Sequence, residues 1–268
     1  MMMTDPKLHA FVLTFEGAGE ARRHSASNEM IRLDPGLNWQ FISGYAAGDA
    51  ELSGLFDPTF NMKYSKRPLA ATEIAAYGGH RKMMRSFLVT QLPFGLFLED
   101  DFAAAGSAAS WLHLINHIDD VMGHCDMLKL LDFGPPRSGF MEERIHCPLT
   151  IVKPWNVGAG AVGYILSRQG AEKILSRKQI FRQIDEDIKY FWELDLDIWT
   201  VKTPMVVEIS RDLGGSFLER ERMEIKRKNR NLKTSLKGNL LAIRRWILSR
   251  YHRLKQFGVR PGNDRTSK

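Results

Sequence analysis

Short apolar runs alternate along the chain with stretches of helical period, and their order predicts alternating strands and helices. Residues 8–15 (LHAFVLTF) make a first strand, followed by a glycine-containing loop and a helix over 21–33; residues 39–44 make a second strand. Residues 49–66 are polar and irregular, with Asp57-Pro58 as a turn signal, which predicts a surface excursion at the ligand-binding end of the sheet. A long helix over 69–91 starts near Ala71 or Thr72 and is expected to break at Gly78-Gly79. Then comes a buried strand, Phe94 to Leu98, that stops in Glu99-Asp100-Asp101. A helix over 107–123, a strand over 127–132, a Gly/Pro loop at 134–136 and a strand over 149–152 follow. The small-residue and apolar segment 158–167, a helix over 168–175, a short helix over 185–193 and late strands over 196–201 and 205–207 complete the pattern. The alternation predicts an α/β fold with a mostly parallel central sheet flanked by helices. The globular pattern ends at Gly214-Gly215, dividing the chain into a domain over 1–215 and a tail over 216–268.

Charge sharpens the second of these units. The chain has 38 Lys and Arg against 31 Asp and Glu, and the excess lies largely beyond residue 219. There Leu236, Leu240, Leu241, Ile243, Trp246, Ile247, Leu248, Tyr251 and Leu254 recur at helical spacing among Arg and Lys. Such a helix can lie on an anionic bilayer, or dock on its own domain with a solvated basic face. No reading motif for nucleic acid accompanies the charge, which disfavours that partner. Neither an apolar leader nor a run of some 18 apolar residues is present, so the expectation is a cytoplasmic protein with peripheral contact at the inner face of the membrane. Cys125 and Cys147 lack the partners of a zinc site and are expected as buried thiols.

Three adjacent carboxylates repel one another unless a cation or a ring of donors compensates them. A divalent metal shared with a phosphate-bearing substrate would do so, since hard oxygen ligands suit Mg²⁺ or Mn²⁺. The competing reading is an N-cap cluster for the helix expected after Asp101. Gly17 and Gly19 fall short of a dinucleotide fingerprint, and Arg22-Arg23 could meet phosphate or simply sit on a helix surface. Glu73 and His80, two helical turns apart with Tyr77 between them, could share a face toward a cleft. Asp185-Glu186-Asp187 is a second acidic cluster. Capping explains it, yet a carboxylate there could also serve as general base beside a metal held by the first.

Five segments in this order resemble the family-25 glycosyltransferases, the lipopolysaccharide-biosynthesis group that also includes the collagen galactosyltransferases. They are Phe11-Val12-Leu13-Thr14 with Arg22-Arg23; residues 69–80 (LAATEIAAYGGH); Leu96 to Asp101; residues 163–175 (GYILSRQGAEKIL); and Ile184-Asp185-Glu186. The resemblance implies a GT-A-like fold with Glu-Asp-Asp standing at the family's Asp-x-Asp motif. It implies Mn²⁺ or Mg²⁺ on Asp101 and Glu99, with Glu99 or Asp100 reaching ribose or metal. Thr14, Glu16 and Arg22 would border the uridine of a UDP-sugar. Glu73 and His80 would face the acceptor, and Asp185 or Glu186 would be the base. Where the family pattern has Ser before its histidine, this chain has Gly79, which bears on acceptor choice. The implied activity is transfer of a hexose, galactose first, to a hydroxyl of a cell-surface glycan such as lipopolysaccharide core, with inversion. The alternative is a non-catalytic basic membrane- or nucleic-acid-associated module that retains the fold.

Overall fold

A computed structural model describes residues 7–15, 17, 19–133, 139–215, 217–229 and 231–258. Strand β1 (Leu8–Thr14), helix α1 (Gly19–Leu33) and strand β2 (Trp39–Ser43) open the chain as the pattern predicts. The segment expected to be irregular instead holds helices α2 (Ala50–Ser53) and α3 (Pro58–Tyr64). The Asp49 carboxylate accepts from the Glu51 amide at 3.0 Å and that of Asp57 from the Phe60 amide at 2.9 Å. Asp57-Pro58 is therefore an N-cap with proline in the first turn. Helix α4 (Ala71–Val89) runs unbroken through Gly78-Gly79. A Cβ at Gly78 would meet Leu52 at 2.5 Å and one at Gly79 would meet Leu13 at 2.8 Å, so these glycines let α4 press on α2 and β1.

Strand β3 (Phe94–Glu99) carries the acidic triplet, and β4 (Phe102–Ala104) follows at once. The helix expected over 107–123 is two, α5 (Ala108–Asn116) and α6 (Ile118–Met122), and the first is capped by Ser107, whose hydroxyl accepts from the Ser110 amide at 3.1 Å. A strand thus separates the triplet from the nearest helix, and the N-cap reading of the triplet is excluded. Strands β5 (Met127–Lys129), β6 (Phe140–His146), β7 (Leu149–Pro154) and β8 (Gly163–Ser167) precede α7 (Arg168–Leu175) and α8 (Ile184–Ile188). The short helix expected over 185–193 is α8 and then a single 3₁₀ turn at Phe191–Glu193. Strands β9 (Ile198–Val201) and β10 (Val206–Glu208) and helices α9 (Phe217–Lys228) and α10 (Leu232–Gly258) end the described chain. The sequence pattern gave no sign of β6. It is a polar edge strand paired to β7, and its Arg144 lies 4.0 Å from the Trp199 ring centroid.

The central sheet has the order β2-β1-β3-β8-β5-β9-β7-β6. Strands β1, β2, β3, β5, β6 and β9 run one way, while β7 and β8 run against them. Both faces of the sheet are covered, and β1 shows how: Leu8, Ala10 and Val12 enter one apolar cluster, Phe11 and Leu13 the other. Burial on both sides explains why such strands read as continuous apolar runs rather than alternating ones. Strand β10 pairs antiparallel with β4 in a separate ribbon, placing Glu208 opposite Phe102 and next to the triplet.

The tail is docked on this framework. The carboxylate of Glu221 in α9 accepts from the amides of Ala71 (3.0 Å) and Thr72 (3.2 Å) and from the Thr72 hydroxyl (2.7 Å), capping α4, whose own N-cap residue is Ala70. Removing this cap with Glu221→Ala is expected to cost about 1 kcal/mol, as other caps do, measurable as a lower urea midpoint with unchanged slope. In α10, Arg253 is fully buried, lies 4.1 Å from the Phe191 ring centroid and donates to the Ile198 carbonyl at 3.0 Å. Cys125 is buried, and burial pushes its thiol up to about 12; Cys147 is exposed, against expectation.

Candidate functional site

The parallel strands β1, β2 and β3 finish at one edge of the sheet, where loops leave room between elements. A cavity of about 680 Å³ lies there, lined by Phe15, Ser43 and Tyr45 beyond β1 and β2, by Glu99, Asp100 and Asp101, and by Asp185, Glu208 and Arg222 from later elements. Phe15 and Tyr45 give it aromatic surface; its charge is mainly acidic.

Arg22 compensates the triplet from within the chain. Its Nη1 donates to Asp100 Oδ1 at 2.7 Å and Asp101 Oδ2 at 3.2 Å, and its Nη2 donates to the Gly215 carbonyl at 2.8 Å. Arg22, Asp100 and Asp101 are all buried. The guanidinium expected beside a nucleotide is thus committed to the two carboxylates and to Gly215, the last residue before the tail. Burial raises the Asp100 carboxyl above its ordinary range, with Arg22 and Thr14 opposing the rise. Asp101 is pushed up to about 7, first by burial and then by the charge of Glu99, with Arg22 pulling it down. Its Oδ1 is buried without a hydrogen-bond partner among the described residues. Thr14, expected to border a uridine, ends β1 and is buried, and it is not among the residues that line the cavity. Glu16 lies outside the described residues.

His80 is not among the residues that line the cavity. It is wholly buried, with Nε2 3.1 Å from Glu99 Oε1 and Nδ1 2.8 Å from the Tyr164 hydroxyl. An ionised Glu99 can only accept, so Nε2 donates to it, and Nδ1 then accepts a hydrogen bond from the Tyr164 hydroxyl. His80 positions Glu99. Glu73 does reach the cavity wall, as its place on α4 suggested, and its carboxylate accepts from Arg67 (2.6 and 2.8 Å), Arg222 (2.8 Å), the Ala70 amide (2.9 Å) and Gln183. Burial would raise this carboxyl, yet Arg67, the Ala70 amide and Arg222 hold it below its usual range. Glu73 ties α4 to α9.

The second acidic cluster splits three ways. Asp187 is buried against the Tyr77 hydroxyl (2.6 Å), Arg177 (2.7 Å) and Arg182 (3.2 Å). Glu186, an expected base, pairs with Lys189 at 2.8 Å and with Arg245 of α10, and does not line the cavity. Asp185 does line it, half-buried; its carboxylate makes no hydrogen bond or ion pair with another described residue and acts on buried Lys129 only through its charge. Turning an acidic tripeptide around one helical turn sends each side chain in a different direction, which spacing along the sequence left open.

Three cavity features escaped the sequence reading. Glu208 ends an apolar run (MVVE) just as the triplet does, and that shared pattern was a usable signal. Buried Lys129 donates to the carbonyls of Gly158 (2.7 Å) and Ala159 (3.0 Å) and pairs with Asp132, fixing the 159–162 wall; a lysine inside MLKLL was its signal. Arg222 had none, because its place depends on how the tail folds back.

No protein-family model matches the chain, and no curated protein matches it significantly. Among solved structures it is similar to A197 from STIV, with 11% identity over 75% of this chain and 83% of that one and a TM-score of 0.38. It is also similar to a protein described as a glucose-1-phosphate thymidylyltransferase from Bacillus anthracis, in complex with a sucrose. That match has 10% identity over 85% of this chain and 99% of that one, and a TM-score of 0.38. Similarities of that strength leave function to be argued from the cavity itself.

Proposed function

We propose that the chain is a GT-A-like glycosyltransferase of the family-25 type, moving a hexose, galactose first, from a UDP-sugar to a hydroxyl of a cell-surface glycan such as lipopolysaccharide core, with inversion. The observation that carries this reading is the pairing, in one cavity, of a carboxylate with a buried oxygen that no described residue hydrogen-bonds and a carboxylate that no described residue hydrogen-bonds or ion-pairs. Arg22 engages only Oδ2 of Asp101 and leaves Oδ1 open to a cation, and the half-buried Asp185 faces the same cavity.

Among the described residues no three His, Cys, Asp or Glu side chains form a ready-made metal cage. Two carboxylates nevertheless suffice for Mg²⁺ or Mn²⁺ when substrate phosphates complete the shell. The buried Oδ1 of Asp101 and the His80-positioned Glu99 fit that role. When bound, such a metal would offset the negative charge of the departing diphosphate.

The remaining work falls to the chain. Phe15 and Tyr45 offer apolar surface to a base, and Arg22 holds Asp100 in place. Glu99, restrained by His80, stays aimed into the cavity. Asp185 takes the proton of the acceptor hydroxyl as that oxygen attacks the anomeric carbon from the face opposite UDP, which inverts the centre.

A metal must displace the proton of Asp101, so Mn²⁺ affinity is expected to rise up to about tenfold per pH unit below pH 7 and to level off above it. Calorimetry across pH 5–8 reads this directly. Asp101→Asn should lower affinity at pH 8 by at least about tenfold and flatten the pH dependence. Parental Mn²⁺ affinity in that variant would remove Asp101 as the metal ligand.

A further inference from the structure

Helix α10 docks the wrong way round for a core-forming amphipathic helix. Its polar positions face the domain: Ser249 donates to the Trp155 carbonyl at 2.6 Å, Arg253 is fully buried, and Arg245 pairs with Glu186. Leu236, Leu240, Ile243, Ile247, Tyr251 and Leu254 point outward instead, each more than half exposed. Their spacing of four, three, four, four and three residues makes one continuous apolar stripe along the helix. An apolar face of this extent left in water calls for a covering partner.

The charges around the stripe identify the partner. Lys233, Arg244 and Lys255 are exposed beside it, and the 27 residues of α10 contain no Asp or Glu at all. A second copy pairing stripe to stripe would bring basic flanks together, without the opposite charges that stabilise paired helices. An anionic bilayer offers both complements, acyl chains for the stripe and phosphate headgroups for the lysines and arginines. No helix among the described residues is long and apolar enough to cross a membrane, so contact would be along the surface. We infer that α10 is a membrane-surface helix that seats this protein on an anionic lipid bilayer through its outward apolar stripe and basic border. The inference does not depend on the transferase reading.

Flotation of the full chain with phosphatidylcholine vesicles, with and without phosphatidylglycerol, tests it. The chain should float with the anionic vesicles at low salt, and at least about tenfold less with neutral vesicles or at high salt. Ile243→Glu combined with Ile247→Glu should reduce flotation at least about tenfold, with melting temperature unchanged because both side chains already lie in solvent. Absence of flotation with phosphatidylglycerol, or undiminished flotation of the double variant, would overturn the inference. So would sedimentation velocity showing a vesicle-free dimer that the double variant splits.

Discussion

Asp185→Asn should cut UDP release in the presence of acceptor by a factor on the order of 10²–10⁴, the usual worth of a positioned general base. Binding of UDP and Mn²⁺ should stay close to parental, because Asp185 belongs to α8, across the cavity from the triplet carried by β3. The prediction separates Asp185 from its neighbours. Glu186→Gln loosens a contact with α10 and should leave turnover near the parental value, since Glu186 pairs with Arg245 and Lys189 outside the cavity. Asp187→Asn would disturb a buried network around Tyr77, Arg177 and Arg182, and its effect should appear in stability. Steady-state kinetics with a panel of UDP-sugars and a hydroxyl acceptor, paired with thermal melts, distinguishes the three. Full turnover in Asp185→Asn would leave the proposed transfer without its base.

How far the sequence reached differs between framework and site. Strands β1, β3 and β8 are legible because burial on both faces makes them uninterrupted apolar runs, and α4 and α7 because their lengths and boundaries are clear. Failures came where one local signal has two meanings. Asp57-Pro58 suits a turn and equally the first residues of a helix, and Gly78-Gly79 suits a break and equally a close packing surface. At the site, residue types and their order along the chain brought Asp101 and Asp185 to one cavity. Direction was another matter. His80, Glu73 and Glu186 are polar side chains on helices near that cavity, yet each is consumed by partners distant in sequence, Tyr164, Arg222 and Arg245. Long-range pairing of that kind leaves no trace in local spacing.

The triplet's compensation is the clearest such case, and it yields the largest expected change in stability. Arg22→Met would keep much of the side-chain volume but leave Asp100 and Asp101 buried without their cation, which typically costs about 3–5 kcal/mol. At about 2–4 °C per kcal/mol, the melting temperature should fall by roughly 6–20 °C. The pH dependence identifies the cause. Asp101 titrates near 7 in the folded chain but near 4 when unfolded, so between those values the folded state retains a proton that the unfolded state has released. Its contribution to stability therefore falls as pH rises through that window. Without Arg22 both carboxyls rise further, and the window extends upward. The gap in melting temperature between parent and variant should accordingly be narrow near pH 5, where protonation relieves the pair, and widest above pH 8. Mn²⁺ should close part of the gap at high pH by binding the folded state. Arg22→Lys should recover only part of it, because one ammonium cannot reach Asp100, Asp101 and the Gly215 carbonyl together as the guanidinium does. A loss equal at pH 5 and pH 8 would instead mark Arg22 as a packing element, and the acidic triplet would then need another explanation for its stability in the metal-free chain.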